Sequence, residues 1–327
     1  MILAADIGGT NSRVALFEPG GHTPIAVETY RSHAWSGADE LLRDFLARHP
    51  ASLTAACIAV AGPVQDGKSR PVNLSWGLDE RRLALALDVP TVALVNDLEA
   101  NAHGIAVLEP AELAVVNAGE PEAVGNRAVV SAGTGLGEAG LWWDGSRHRA
   151  VAGEGGHADF APRTELEVEL YRYLAADYGH VSYERVCSGG GIVNIYRFLR
   201  DRRRGSKSVD ASAPSPAAIS ADAAANPSGI SAQAVDLFLS IYGARAANVA
   251  LAFLATGGVY LGGGIAPRLV ERLEDGPFMR AFTDKGRLSS LLAGIPVSVV
   301  LDDRTALRGA AQIAAEHDLP AAIRRIA

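Results

Sequence analysis

The sequence predicts an α/β protein of two domains, on three observations. The chain has 327 residues, more than one small core usually organises. Short apolar runs bounded by turn residues alternate with stretches of helical period, the pattern of a layered α/β fold. A unit of strand, Gly/Thr-rich turn and strand occurs twice, about 125 residues apart, which suggests two related halves.

Taken in order, residues 2–7 (ILAADI) read as a buried strand, Gly8-Gly9-Thr10-Asn11 as a turn and 13–17 as a second strand. A strand near 25–30 and a helix at about 36–48 follow, with Ser36 placed to cap it. Residues 54–61 read as a strand, 79–87 as a helix and 91–95 as a strand that runs into Asn96-Asp97. A helix at about 98–107 closes the first half. In the second half, strands at 128–131 and through 141–143 flank Gly133-Thr134-Gly135-Leu136-Gly137. Residues 164–178 look helical, and a Ser/Ala/Pro-rich loop begins at 205. A long helix at 231–255 leads to a strand at 257–261, after which Gly262-Gly263-Gly264-Ile265 opens a helix. A strand at 295–301 and a helix at 304–316 end the alternation.

Composition narrows the function. With 48% hydrophobic and 20% charged residues the chain is an ordinary globular protein. A net charge of −7 argues against nucleic acid, whose phosphates need a basic face. The one basic run, Arg200 to Arg204, reads as a solvated loop. Cys57 and Cys187 stand far apart and outside any CxxC pair, so neither a zinc site nor a disulfide framework is suggested. No basic-then-apolar leader opens the chain, and no apolar stretch reaches about 18 residues unbroken. The expectation is a reduced, cytoplasmic protein away from membranes.

Two motifs point elsewhere on their letters alone. GPVQDGKS, residues 62–69, matches the P-loop pattern and would make Lys68 a phosphate ligand. A P-loop needs a helix next, yet RPVNLSWG has no helical period, and Asp66 would put a negative charge in the cradle. GLGEAG, residues 135–140, matches a dinucleotide fingerprint, but a strand rather than a helix follows it.

The polar strand ends carry the chemistry. Asp6 ends the first strand before one glycine turn, Gly133-Thr134-Gly135 forms another, and Gly262-Gly263-Gly264 a third. Successive amides in such turns make anion-binding concavities, so two facing hairpins could grip a polyphosphate while the third run lies against a base or ribose. Asp6 is placed to hold Mg²⁺, directly or through water. Asp97, at a strand-to-helix junction, is either a helix cap or a catalytic group. Each turn alone is also an ordinary tight turn.

The series ADIGGTNSR (5–13), VNDLEA (95–100), AGTGLG (132–137), GEGGHADFAP (153–162), YERVCSGGGIVNIYR (183–197) and LGGGIAPR (261–268) closely resembles bacterial glucokinases. That family is ATP-dependent, with a fold similar to hexokinase and actin. The resemblance is colinear from residue 3 to about 310. It implies a duplicated ribonuclease H-like fold with an interdomain cleft: a small domain of residues 1–108 plus 302–327, and a large one of 109–301. It makes Asp97 the general base, taking the proton of the sugar C6 hydroxyl as that oxygen attacks the γ-phosphoryl group of ATP. It assigns glucose to Asn96, Asp97, Glu154, His157 and Glu184. Phosphate contacts fall on Gly8, Gly9, Thr10, Asn11, Gly133, Thr134 and Gly135, and nucleoside contacts on Gly262, Gly263 and Gly264. A homodimer is the family expectation. The chain departs from the pattern at Ser188-Gly189-Gly190-Gly191, where relatives often carry a proline. It also lacks the cysteine-rich zinc motif of the related repressor and sugar-kinase branch. A sugar-sensing regulator on the same fold is the rival class, and it would usually carry a DNA-binding helix-turn-helix.

Overall fold

The computed structural model describes residues 1–317 except 72, 121–122, 207–211 and 275. The first strands and helices are β1 (Ile2–Ile7), β2 (Asn11–Phe17), β3 (Ala26–Arg31), α1 (Ala38–Arg48), β4 (Ala55–Val60) and the short β5 (Val64–Gln65) and β6 (Lys68–Ser69). Next come β7 (Leu78–Asp79), α2 (Glu80–Leu87), β8 (Val92–Asn96), α3 (Asp97–Ile105), β9 (Leu113–Asn117), β10 (Arg127–Ala132), β11 (Leu136–Trp143) and β12 (His148–Gly153). Helices α4 (Glu165–Tyr178), α5 (Gly189–Arg204), α6 (Pro216–Ala225) and α7 (Ile230–Phe253) follow. The chain ends through β13 (Val259–Gly262), α8 (Val270–Leu273), α9 (Pro277–Thr283), α10 (Ser289–Ala293), β14 (Val297–Val300) and α11 (Thr305–His317). Two compact units result. The first holds Met1–Pro110, Ser146–Ala152 and the chain from Asp302 onward, and the second Ala111–Gly145 and Gly153–Leu301.

The first unit is built on a five-stranded sheet ordered β3-β2-β1-β4-β8. Strand β4 (AACIAV) is buried at every position, as a central parallel strand covered on both faces must be. Ala56, Ile58 and Val60 join a core with Leu41, Leu42 and Phe45 of α1 and Leu83 and Leu87 of α2. Ala55, Cys57 and Ala59 face the other way, into a core of small residues with Ala100 of α3 and Ala306, Ala310 and Ala314 of α11. Small side chains let these two helices touch backbone to backbone. A Cβ on Gly309 would stand 1.7 Å from the Ala100 carbonyl oxygen, and one on Gly104 would stand 2.0 Å from that of Thr305. The parallel strands end level, since Ile7 pairs with Val60 and Val60 with Asn96. Open α/β sheets bind their ligands at this carboxyl edge.

In the second unit β11-β10-β13-β14-β9 lie in that order. Strands β10 and β11 form an antiparallel hairpin, and β13 and β14 run parallel beside β10, as β4 and β8 do beside β1. Helix α7 is the one described helix long and apolar enough to cross a membrane by composition. Its Val235, Phe238, Leu239 and Tyr242 are core residues here, and the Tyr242 hydroxyl donates to the Val130 carbonyl at 2.8 Å.

Three local expectations are corrected. Ser36 does not cap α1: Gly37 takes that position, and the Ser36 amide and hydroxyl both donate to Glu40. The basic run is the last turn of α5, where cations favour the carbonyl end of the helix dipole. Gly262-Gly263-Gly264 opens only a single 3₁₀ turn, Ala266–Arg268, before the short α8. The rejection of the P-loop stands: its letters form a β-hairpin between β5 and β6. Its turn residues Asp66 and Gly67 have φ of 51° and 69°, the two positive values that an Asp-Gly turn of this type requires. The next strand or helix described is β7, not a helix whose N-terminus could hold a phosphate beside this turn.

Candidate active site

The junction after β8 divides its duties among three side chains. Asn96 caps α3, its Oδ1 accepting the Leu98 amide at 2.9 Å, and its Nδ2 donates to the Gly62 carbonyl at 3.1 Å. Glu99 reaches back to the Asn96 amide; burial raises its carboxyl above the ordinary range and this bond draws it down. Asn96 and Glu99 thus form a capping box. Asp97 occupies the first helical position, part-buried, with Oδ1 3.0 Å from the Leu98 amide. Its carboxylate lies at the carboxyl edge of the sheet, at the N-terminus of α3.

The first glycine turn sits on the same edge. The Gly8 amide closes it by donating to the Asn11 carbonyl at 3.1 Å. A Cβ on Gly8 would stand 2.8 Å from that oxygen, and one on Gly9 2.8 Å from the Asn73 side chain. Thr10 and Asn11 are exposed. Asp6 pairs in register with Arg13. Burial pushes its carboxyl up to about 6 from 3.8, against the opposing pull of Arg13.

That shift has a stability consequence. Between pH about 4 and 6 the native state holds a proton that the unfolded state has released, so stability falls as pH rises through this window. Asp6→Asn removes the effect. At pH 7.5, without divalent metal, the variant should gain about 1–3 kcal/mol, discounted for the part of the residue that reaches solvent. The gain should shrink toward pH 4 in denaturant titrations. A variant no more stable than wild type at pH 7.5 would refute the assignment of strain to this carboxylate.

In the second unit, Glu154 precedes and His157 ends a 3₁₀ turn, Gly155–His157. Both side chains are exposed, 3.9 Å apart at Oε2 and Nε2. Gly155 and Gly156 between them are required for close approach: a Cβ on either would stand about 2 Å from Glu138 Oε2 or the Leu136 carbonyl respectively. Glu184 lies in the single 3₁₀ turn Tyr183–Arg185, part-buried. Its Oε2 accepts the Leu136 amide at 3.1 Å and stands 2.5 Å from where a Cβ on Gly135 would be. Glu154, His157 and Glu184 therefore gather around the start of β11.

The second glycine turn mirrors the first, with the Gly133 amide donating to the Gly135 carbonyl at 2.9 Å and Thr134 exposed. Its neighbour is the N-terminus of α5: the Gly189 amide donates to the Gly133 carbonyl at 2.8 Å. Ser188 caps this helix, its hydroxyl oxygen accepting the Gly191 amide at 3.0 Å. Helix N-termini attract phosphate, so Gly189 and Gly190 join the candidates; the sequence reading missed them because it placed no helix there. Gly262 is buried, whereas Gly263 and Gly264 are exposed. Gly263 has φ +80°, and a Cβ there would meet the Ala132 carbonyl at 2.2 Å. Beside Gly264 opens a cavity of about 570 Å³, lined by Ile192, Pro216, Ala217, Ser220, Ile265 and Pro267 among others. Arg268, Glu271 and Arg272 add charged groups to these otherwise mainly apolar walls, and the size suits a small ligand with a flat apolar part and polar edges. Helix α6, which supplies one wall, was also unforeseen.

No group of three or more His, Cys, Asp or Glu side chains fit for a metal occurs among the described residues. A lone carboxylate such as Asp6 nevertheless suits Mg²⁺, which takes one or two protein carboxylates and completes its shell with phosphate oxygens and water.

Comparison with known proteins agrees with this architecture. A family model described as Glucokinase matches residues 3–317. The chain is 39% identical over 338 residues to a glucokinase of Nostoc sp., covering 96% of this chain and 99% of that one. It is 40% identical over 350 residues to a glucokinase of Synechocystis sp., covering 96% and 98%. Among solved structures, a glucokinase from an Antarctic psychrotroph superposes with a TM-score of 0.84 at 31% identity, covering 96% and 98%. The glucokinase of Balamuthia mandrillaris, solved in complex with glucose, shares the fold with a TM-score of 0.79 at 22% identity, covering 96% and 93%. A family match over nearly the whole chain, relatives of this similarity and a shared actin-like fold lead to one conclusion: the chain belongs to the glucokinase family of ATP-dependent hexose phosphotransferases.

Proposed function

We propose that Asp97 is the general base of this transfer, with D-glucose as the acceptor and ATP as the donor. Asp97 takes the proton of the C6 hydroxyl as that oxygen attacks the γ-phosphorus. The bond from the γ-phosphorus to the bridging oxygen breaks, and glucose 6-phosphate and ADP leave. The observation that carries the reading is the division of labour after β8. Asn96 and Glu99 supply the two bonds of the capping box, while Asp97 sits at the first helical position, on the carboxyl edge of the sheet, with its Oδ1 3.0 Å from the Leu98 amide.

The sugar hydroxyls are bound by Asn96, Asp97, Glu154, His157 and Glu184. Carboxylates accept from hydroxyls, and the amide and imidazole complete the directional pattern. Such a site rejects an analogue lacking one hydroxyl because its partner would be left unpaired. The glycine turns at 8–11 and 133–135 hold the phosphates, and the run 262–264 beside the cavity takes the nucleoside. Mg²⁺ would be held at Asp6, directly or through water, where it would neutralise charge on the phosphates. The resemblance in sequence further supports a cytoplasmic homodimer.

Glu184→Gln tests the sugar assignment. Loss of a hydrogen bond to a charged group costs roughly 1–3 kcal/mol, so the glucose KM should rise by about 5- to 150-fold with the ATP KM unchanged. Gln retains an acceptor for the Leu136 amide, so the fold should persist. An unchanged glucose KM removes Glu184 from the site.

A further inference from the structure

A buried ion pair lies directly beneath the segments just assigned to the sugar. Glu138 on β11 is 4% exposed, and Arg245 on α7 grips it with two hydrogen bonds, Nε to Oε1 at 2.6 Å and Nη2 to Oε2 at 2.5 Å. Arg245 Nη2 also donates to the carbonyl of Gly155 at 2.9 Å, in the short segment between Glu154 and His157. The loop is laid onto the pair: a Cβ on Gly155 would stand 2.1 Å from Glu138 Oε2 and 2.8 Å from Arg245 Nη2. The other side of the guanidinium problem is Tyr183, whose ring centre is 4.4 Å from Arg245 Cζ and whose chain neighbour is Glu184. The Tyr183 hydroxyl accepts from Asn248 at 3.2 Å, and Asn248 in turn accepts from Lys285 at 2.7 Å.

We propose that Arg245, locked by Glu138, is a positioning residue that sets Glu154, His157 and Glu184 relative to one another for the hexose. The inference rests on the assignment of those three residues to the sugar. One planar cation touches both segments, so their spacing is fixed by a single rigid group. Stability is a weak reason for such a pair, because a buried ion pair is often no better than an apolar pair of the same volume. Orientation is the better one. Lysine cannot replace it: an ammonium has no fork to bind Glu138 twice while reaching Gly155, and no flat face for Tyr183.

The test is steady-state kinetics on the full chain with glucose and ATP varied in turn, comparing Arg245→Lys with Glu184→Gln. Misplacing binding groups by about 1 Å costs roughly 100-fold, so Arg245→Lys should raise the glucose KM about 10- to 100-fold and leave the ATP KM within about 2-fold. Because Arg245→Lys could disturb folding by leaving Glu138 poorly paired, the double variant Glu138→Leu/Arg245→Met is measured beside it. It removes both charges and should fold, and it should show the same selective rise. An unchanged glucose KM in the folded double variant, while Glu184→Gln raises it, overturns the role of Arg245 alone. A rise shared equally by glucose and ATP also overturns it, since general loosening would act that way. No change in any of the three variants overturns both this role and the sugar assignment beneath it.

Discussion

Replacing Asp97 with alanine should lower kcat by about 10²–10⁴-fold, the range over which a positioned general base contributes. The glucose KM should change far less, because Asn96, Glu154, His157 and Glu184 remain. The thermal midpoint should also stay close to wild type. Capping rests on the Asn96 oxygen and the Glu99 carboxylate, and a first-turn carboxylate adds only about 0.3–1 kcal/mol through the helix dipole. Lys68→Ala is the control, since Lys68 sits in a hairpin with Asp79 3.4 Å away, and its kcat should match wild type. If Asp97→Ala lost activity only in proportion to the fraction unfolded, Asp97 would be a structural residue. If Lys68→Ala abolished turnover and Asp97→Ala did not, the phosphate-loop reading would return.

The second large effect lies far from the chemistry. Gly309→Val should destabilise the first unit by about 3 kcal/mol or more, the upper end of overpacking penalties. The added Cβ would have to occupy a place 1.7 Å from the Ala100 carbonyl oxygen and 2.6 Å from the Gly104 amide nitrogen. Both neighbours are backbone, so no side chain can swing aside. The two helices must separate, and α3 carries Asp97 at its first position. Activity should therefore fall with stability, read as a lower urea midpoint and a lower kcat. An unchanged midpoint would mean that α3 and α11 do not touch as described.

Much of the fold was legible because its signals are local. AACIAV is a short apolar run bounded by turn residues and so reads as a covered strand, and helix α2 starts where Asp79 accepts the amides of Arg81 and Arg82. Helix α5 was not legible. Its first turn is three glycines and its last a cluster of arginines, both poor periodic signals. One of those glycines is there for space: a Cβ on Gly191 would meet the Val186 backbone at 2.5 Å. The fold class named from the resemblance agrees with the solved relatives.

The site divides in the same way. Asp97 stands out from its own neighbours in sequence, at a strand end facing a helix start. Glu184 does not. Its partner is the Leu136 amide, 48 residues away, and only the family resemblance singled it out. Glu138 and Arg245 are 107 residues apart, and nothing near either residue in the chain hints at the other. The α6 wall of the cavity was hidden because alanine-rich residues following a proline read equally as loop.

Helix α11 covers one face of the first sheet, yet it is the last element described, and the whole second unit is threaded between it and α3. On a ribosome adding about 5–20 residues per second, the small-residue face of β1 and β4 waits roughly 10–40 s for its cover after α3 has emerged. The second unit's segments can all meet during that interval, so the half bearing the proposed base is completed last. An unfinished or prematurely stopped polypeptide would therefore carry a bare alanine-lined sheet and no settled Asp97, leaving it prey to chaperones and proteases before it could consume nucleotide.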